Sequence, residues 1–500
     1  MPTARRTLRP LLAGLAAAGL SAGCMVGPDP TPPSLVVPDA WHAEIVDGLE
    51  RGTDGPYAWW QSFDDPVMSE LIAIAEARNL DLRIAESRIR EARAAYGIAA
   101  ADLFPTVSTE GKGLWSDSVD GSAKTADSQF PAPQRFYSAS LDLAWEPDIW
   151  GRVRRGMQAA QYTVQETIEN LRDAMVSLRA EVARSYLEAR SYQGQAQSLA
   201  GDLATRIETL QLVEARFREG TATELDVAQA RAQAEATASQ IPILRSDFAT
   251  AVNRISVLLG ESAGPLQDRM RATFRPEQPV PQTKDTIAVG IPADAIRHRP
   301  DIRSAERGVM AAAAQIGVAE AALYPSLRFS GSGGFTGTSL DDWFVRDNLQ
   351  GIFGIQLSWP IFTAGRLRDQ VEIRTEQAEQ ALLIYERTVL EAISEVETNL
   401  AAYAYSMESR RRLRDTVAAY ERAVDLAMQR FKAGVDDLQT LLTAERGVLE
   451  ARQQLALIEG QVASNVVGIY KALGGAWEIG DLSERAANDE TGDEPVETQG

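Results

Sequence analysis

The sequence predicts a mainly α-helical chain with membrane β-strands, in which long coiled-coil helices and four strands per chain are arranged as an internal two-fold repeat. Three observations carry that expectation. First, the chain is written twice: Leu103-Phe104-Pro105 returns as Leu323-Tyr324-Pro325, and Gly151-Arg152-Val153-Arg154 as Gly365-Arg366-Leu367-Arg368. Arg216-Phe217-Arg218-Glu219-Gly220 likewise returns as Arg430-Phe431-Lys432-Ala433-Gly434, and Leu259-Gly260 as Leu473-Gly474. The offset is 220 at the first match and 214 at the other three, and an offset held over so long a stretch marks two copies of one structural unit. Second, apolar residues follow alternating spacings of four and three over stretches free of proline. Third, each copy also holds two stretches with a period of two, as strands require.

The first element is a secretory signal, 1–23, in which Arg5, Arg6 and Arg9 precede an apolar run from Leu11 to Leu20 that is too short to span a membrane as a mature helix. It ends at Leu20-Ser21-Ala22-Gly23-Cys24. Cys24 is the single cysteine, so neither an intrachain disulfide nor a cysteine-based metal cluster is available. The cysteine after small residues resembles a bacterial lipobox, whose thiol takes a diacylglycerol, although Ser21 stands where such boxes usually carry Leu. Residues 24–56 read as a lipid-anchored tether, because Pro28, Pro30, Pro32, Pro33 and Pro38 forbid helix and favour extended chain.

Repeat 1 is expected over 57–264 and repeat 2 over 293–477. A proline-rich connection, 265–292, separates them on the outside of the body. The spans Gly151 to Gly220 and Gly365 to Gly434 contain no proline and would each extend about 100 Å as helix at ~1.5 Å per residue. Val164, Ile168, Leu171, Met175, Leu178 and Val182 mark the apolar stripe of the first. The return helix of repeat 2 carries the sevenfold ladder Leu441, Val448, Leu455, Val462, Ile469, a coiled-coil signature. In the first copy the return helix, near Thr223 to Gly260, and the helix before the hairpin, near Arg78 to Leu103, laid end to end would match the long one in length. Asp81 and Asp301 read as N-caps of the helices that precede the hairpins.

The hairpins are expected at about 106–146 and 326–362. Tyr137, Ala139, Leu141, Leu143 and Trp145 alternate with Ser138, Ser140 and Asp142, and Phe353, Ile355, Leu357 and Trp359 with Gly354, Gln356 and Ser358. Strands of about ten residues with one apolar face suit an outer-membrane barrel. A half-buried soluble sheet alternates in the same way, but the secretory signal and the lack of a long apolar helix favour the barrel. Four strands cannot close a barrel alone. Three copies of the chain would share a 12-stranded β-barrel. The last stretch, 478–500, is acidic and reads as a disordered tail.

These features make the sequence resemble the TolC-like family of outer-membrane efflux ducts, and within it the lipoprotein branch of RND-type outer-membrane factors. The carriers are Trp59-Trp60-Gln61-Ser62-Phe63-Asp64-Asp65-Pro66, Arg299-Pro300-Asp301-Ile302, Trp359-Pro360-Ile361-Phe362 and the two Arg-Phe-x-x-Gly turns. The resemblance implies a homotrimer in which a β-barrel continues into a trimeric α-barrel across the periplasm. It further implies a passive exit duct for small molecules and drugs, docked on a periplasmic adaptor protein and an inner-membrane RND-type transporter. The Gly220 and Gly434 turns, with Arg216 and Arg430, would be the inner tips that meet the adaptor. In the family a Tyr-Arg pair and a ring of Asp close that end. The matching positions here are Phe431, Lys432 and Thr443, so Asp436 and Asp437 on the turn are candidates for the acidic ring. Crowding of like charges there would favour cation binding or raised pKa values.

Composition narrows the rivals. The chain carries a formal charge of −20, and about −23 without the signal, which repels nucleic acid and anionic membrane surfaces. Arg410, Arg411, Arg412 and Arg414 are flanked by Glu408 and Asp415 and read as a solvated helix face. Two histidines, His42 and His298, are far apart, so no histidine metal site, cofactor or catalytic residue is expected. Gly331-Ser332-Gly333-Gly334 lacks the lysine of a phosphate loop. The remaining alternatives are a duct for type I protein secretion and a lipid-anchored periplasmic coiled-coil or adaptor protein without a barrel.

Overall fold

The computed structural model describes residues 25–34, 37–43, 46, 48–50, 58–116, 134–273, 280–283, 287–289, 296–339, 341 and 343–475. The signal peptide, Cys24 and the acidic tail lie outside the described residues. The chain divides into two compact units, one of Met1–Ser34, Arg88–Ile168 and Ser304–Tyr385, the other of Leu35–Ser87, Glu169–Arg303 and Glu386–Gly500.

In chain order the elements are β1 (Leu49–Glu50), a 3-10 turn (Trp59–Phe63), α1 (Pro66–Arg78), α2 (Leu80–Ala101), β2 (Thr106–Ser116), β3 (Gln134–Trp145), α3 (Arg152–Arg218), α4 (Glu224–Leu258) and α5 (Ala263–Thr273). Then come β4 (Ile287–Ala288), α6 (Pro300–Ala321), β5 (Ser326–Gly337), a 3-10 turn (Arg346–Asn348), β6 (Leu349–Ser358), α7 (Arg366–Lys432) and α8 (Leu438–Ala472). The long helices α3 and α7 have 67 residues each, and α4 and α8 have 35 each. None of the described helices is long and apolar enough to cross a membrane.

The first unit contains a four-stranded antiparallel sheet of order β2-β3-β5-β6, so the two repeats contribute adjacent hairpins to one sheet. Its register sets Val107 opposite Leu143, Leu143 opposite Gly331 and Gly331 opposite Phe353. The next row over sets Ser108 opposite Asp142, Asp142 opposite Ser332 and Ser332 opposite Ile352. One face is therefore apolar across all four strands. The other carries Glu110, Lys112, Asp142, Arg328 and most of the serines; a slip of one residue would mix the two sets. The Gly331–Gly334 run lies within β5, where a Cβ on Gly334 would fall 2.1 Å from the Ala139 carbonyl oxygen.

Helix passes into strand in the same way in both repeats. The Trp145 indole donates to the carbonyl of Leu103, and that of Trp359 to Leu323. Each indole meets a carbonyl that the helix, having ended, no longer satisfies. The chain just after Cys24 is held rather than free. Val26 donates to the Trp150 carbonyl, and the buried Arg155 guanidinium donates to the Val26 and Gly27 carbonyls and to Asp29 Oδ1.

In the second unit the Trp59–Pro66 motif forms a core plug. Trp59 stacks on Tyr470 at 5.3 Å, and the Arg179 guanidinium lies over the Trp60 ring. Asp65 caps α1 through Oδ1 and accepts the Tyr186 hydroxyl at Oδ2. The proline-rich connection does not lie wholly outside. It contributes α5 and β4, which pairs in parallel with β1, and Leu266, Met270 and Ile287 are buried. These apolar residues outweigh the local proline content once a core is within reach.

The expected Asp81 cap is corrected by the structure, whereas Asp301 does accept one first-turn amide, that of Ile302. Asn79 caps α2: its Oδ1 accepts from the amides of Asp81 and Leu82, and its Nδ2 donates to the Leu258 carbonyl at the end of α4. Asp81 sits two residues past the cap, in the first turn. Asp301 is likewise inside the first turn of α6 and accepts a bidentate pair from Arg299. Arg299 also reaches Glu395 and the Ala472 carbonyl at the end of α8. Asn79 and Arg299 are thus equivalent joints, each tying the start of one helix to the end of another. Asn79→Ala should cost about 2 kcal/mol, whereas Asp81→Ala should be near neutral. Thermal loss of far-ultraviolet helical signal in the two variants checks the assignment; equal midpoints would refute it.

Candidate functional site at the helical turns

The turns that close α3–α4 and α7–α8 lie in the second unit and are built alike. Gly220 and Gly434 have φ of +77° and +71°, the left-handed conformation glycine adopts without strain. In one turn Gly220 donates to Phe217 O and Thr221 to Arg216 O; in the other Gly434 donates to Phe431 O and Val435 to Arg430 O. This is a Schellman closure, which satisfies carbonyls left over at a helix end. The next helix then starts from a mirrored pair. Thr223 caps α4 with Asp226 reaching back, and Asp437 caps α8 with Thr440 donating from its amide and hydroxyl.

Beneath the turns lies one apolar cluster of Val213, Ala230, Ala427, Phe431, Leu438, Leu441 and Leu442. Phe431 is 6% exposed, so its ring is a core residue and faces no opening. The two equivalent arginines differ in what they do. Arg216 lies over the Phe431 ring at 4.3 Å and donates to the Lys432 carbonyl at 2.9 Å, joining α3 to α7. Arg430 turns back on its own loop and grips Asp436 at 2.6 and 2.8 Å. Lys432 and Thr443 are exposed, and the Thr443 hydroxyl donates to the Gln439 carbonyl of its own helix.

Electrostatics within one protomer run opposite to the expectation of raised pKa values. The bond from Arg430 holds the Asp436 carboxyl below its ordinary range. The Thr440 amide and hydroxyl do the same for Asp437. Both groups keep their charge through neutral and mildly acidic pH. No group of three or more metal-ligating side chains occurs among the described residues. The sequence does show Arg216 as the arginine of one motif copy and Phe431 as the aromatic of the other, but not that the two touch.

An Arg216→Ala change removes a cation–π contact of about 1 kcal/mol and the bond to Lys432. Amide hydrogen exchange should accelerate through 428–436 in that variant. Arg430→Ala should accelerate exchange only around Asp436; the same pattern in both variants would deny Arg216 its linking role.

Comparison with known proteins agrees with this architecture. A family model described as outer membrane efflux protein matches residues 71–261 and 291–475, the two repeats. The chain is 32% identical over 464 residues to the probable efflux pump outer membrane protein SepC of Pseudomonas putida, covering 91% of this chain and 95% of that one. It is also 32% identical over 467 residues to Nodulation protein T of Rhizobium leguminosarum bv. viciae, covering 92% of each. Among solved structures the outer-membrane channel OprN superposes with a TM-score of 0.80 at 31% identity, over 91% of this chain and all of that one. The CmeC channel of Campylobacter jejuni, at 21% identity, shares the fold with a TM-score of 0.82 over 94% of this chain and 98% of that one. The repeated helices, the single sheet made from two hairpins and these matches together place the chain in the outer membrane efflux protein family, the TolC-like ducts of the bacterial outer membrane.

Proposed function

We propose that this duct is a homotrimer and serves as the exit of a tripartite pump for small organic molecules. The observation that carries the proposal is the sheet. Its outer strands β2 and β6 have 11 and 10 residues and lie at its two edges. In hydrocarbon every backbone amide and carbonyl needs a partner, so an open edge of that length has to be closed by another strand. Pairing β2 of one copy with β6 of the next closes a ring when three copies contribute, and the apolar face then meets lipid. Leu349, Ile352, Phe353, Ile355 and Leu357 are all largely exposed in the lone chain. Most of them belong to that lipid-facing row.

The polar face would line a wet lumen, so cargo need not dissolve in the outer-membrane lipid. Energy would come from an inner-membrane RND-type transporter joined through a periplasmic adaptor, which the Gly220 and Gly434 turns are suited to meet. Relatives named as toluene and solvent efflux proteins favour small organic cargo. Cys24 would carry the lipid anchor. Asp436 and Asp437 would border the inner aperture, with Arg216 on Phe431 in place of the tyrosine-based latch of the family.

Electron microscopy of the detergent-extracted protein tests the assembly. The expected particle has three-fold symmetry, a membrane-sized cap and a hollow stem of about 100 Å; thin rods or compact monomers would refute it. Replacing Asp436 and Asp437 together by Ala should raise the open fraction in planar bilayers. Unchanged conductance would remove these acids from the aperture.

A further inference from the structure

About 12 Å along α8 from the Asp437 cap, a group of ionisable side chains is sealed between helices. Glu445 of α8 is 4% exposed and Asp202 of α3 is 7% exposed. This burial is provided by a single protomer and needs no neighbouring copy. The Thr209 hydroxyl of α3 donates to Glu445 Oε1 at 2.8 Å, and Arg206 of α3 donates to the Glu445 backbone carbonyl. Arg206 also donates to Gln233 of α4. Arg452 of α8 bridges Asp202, at 2.6 Å, to Glu421 of α7. The charged groups around Glu445 are therefore Asp202 and Arg206 from α3, Arg446 and Arg452 from its own helix, and Glu421 from α7 behind Arg452. From α4 the polar Gln233 completes the set.

Two oxygens in this group, Glu445 Oε2 and Asp202 Oδ2, are buried and have no hydrogen-bond partner among the described residues. For Asp202 the close Arg452 guanidinium compensates the charge. Glu445 has only the Thr209 hydroxyl bonded to its carboxylate, since the nearby Arg206 donates to its backbone carbonyl instead, and that is a poor exchange for the water a carboxylate gives up. A proton on Glu445 removes the buried charge and with it the repulsion from Asp202.

We infer that Glu445 is a protonation-controlled lock between α8 and α3, holding the two helices packed behind the inner turns when neutral and loosening them when charged. This rests on the reading of the chain as a duct whose inner end opens. Burial, opposed by Thr209 and Arg206 and aided by Asp202, raises the Glu445 pKa above its ordinary value. A group whose pKa is raised in the packed state stabilises that state below its titration and withdraws the support as pH rises through it. Opening that lets water reach Glu445 returns it to an ordinary glutamate. The duct is therefore easier to open on the alkaline side. Asp436 and Asp437 do not account for such a response, since both remain charged throughout that range.

The test is single-channel recording of the full-length protein in planar bilayers between about pH 5 and about pH 8, comparing wild type, Glu445→Gln and Thr209→Val. In wild type the open-to-closed ratio should rise on the order of tenfold across that interval. Glu445→Gln, neutral at every pH, should stay at the low acid-side ratio. Thr209→Val, which removes a bond favouring the charged form, should move the midpoint to higher pH. A wild type without pH response, or Glu445→Gln with the wild-type profile, would overturn the lock. Should Glu445→Gln not assemble, the Thr209→Val midpoint decides, and no displacement overturns the proposal. Failure to form any conducting pore would instead refute the duct reading itself.

Discussion

Helix ends set the terms for this molecule. Each repeat is built from helices that must stop, meet another helix end or change into strand. Every stop leaves backbone amides and carbonyls without partners. Asn79 and Arg299 solve the problem where helix meets helix, Asn79 by serving two helix ends with one side chain and Arg299 by donating to the Ala472 carbonyl while holding Asp301, which accepts the Ile302 amide. Trp145 and Trp359 solve it where helix becomes strand. Glycine closures with Thr223 and Asp437 solve it at the turns. With these junctions satisfied, long amphipathic helices can run through without breaks, and the apolar stripes of α3, α7 and α8 have a fixed register in which to pack.

Duplication supplies the junctions twice but does not keep them identical. Asn79 is neutral and makes three bonds, whereas Arg299 is charged and needs Asp301 and Glu395 beside it. Arg216 and Arg430 stand at equivalent turns, yet one crosses to the other repeat while the other closes its own loop. The difference follows from the neighbours. Position 436 offers a carboxylate to Arg430; position 222, its equivalent, is Ala and offers none to Arg216. Arg216 is left to find the Phe431 ring and the Lys432 carbonyl. The two halves thus bind each other through residues that both copies kept, released for that contact by the divergence at 222 and 436.

The sheet and the helical turns obey opposite economies. In the sheet, side chains are sorted into two faces and the unsolved requirement is at the edges, which only further strands can meet. At the turns, the backbone is satisfied within the chain and the polar side chains are already committed, Asp436 to Arg430 and Asp437 to Thr440. The buried Glu445 and Asp202 are the exception, because a helix interface placed two carboxylates where one guanidinium and one hydroxyl can answer only half of their oxygens.

The sequence by itself determined the long helices, the hairpin strands, the repeat and the faces of the strands. Those properties are periodic and local: a stripe at spacing four and three, an alternation of two, a glycine after a helix. It also identified Gly220, Gly434, Asp436 and Asp437 as turn residues. It misplaced the cap of α2, which is Asn79 and not Asp81, and although Asp301 does accept the Ile302 amide, nothing in the sequence showed that Asn79 and Arg299 also reach carbonyls 179 and 173 residues away. The Arg216 contact, the docking of 25–29 on Arg155 and the Thr209–Glu445 bond across 236 residues were likewise decided by tertiary structure. Periodicity says which side of a helix is buried. It leaves open the rotation and axial register that bring one side chain to another, and those are set only when all the helix ends have found their partners.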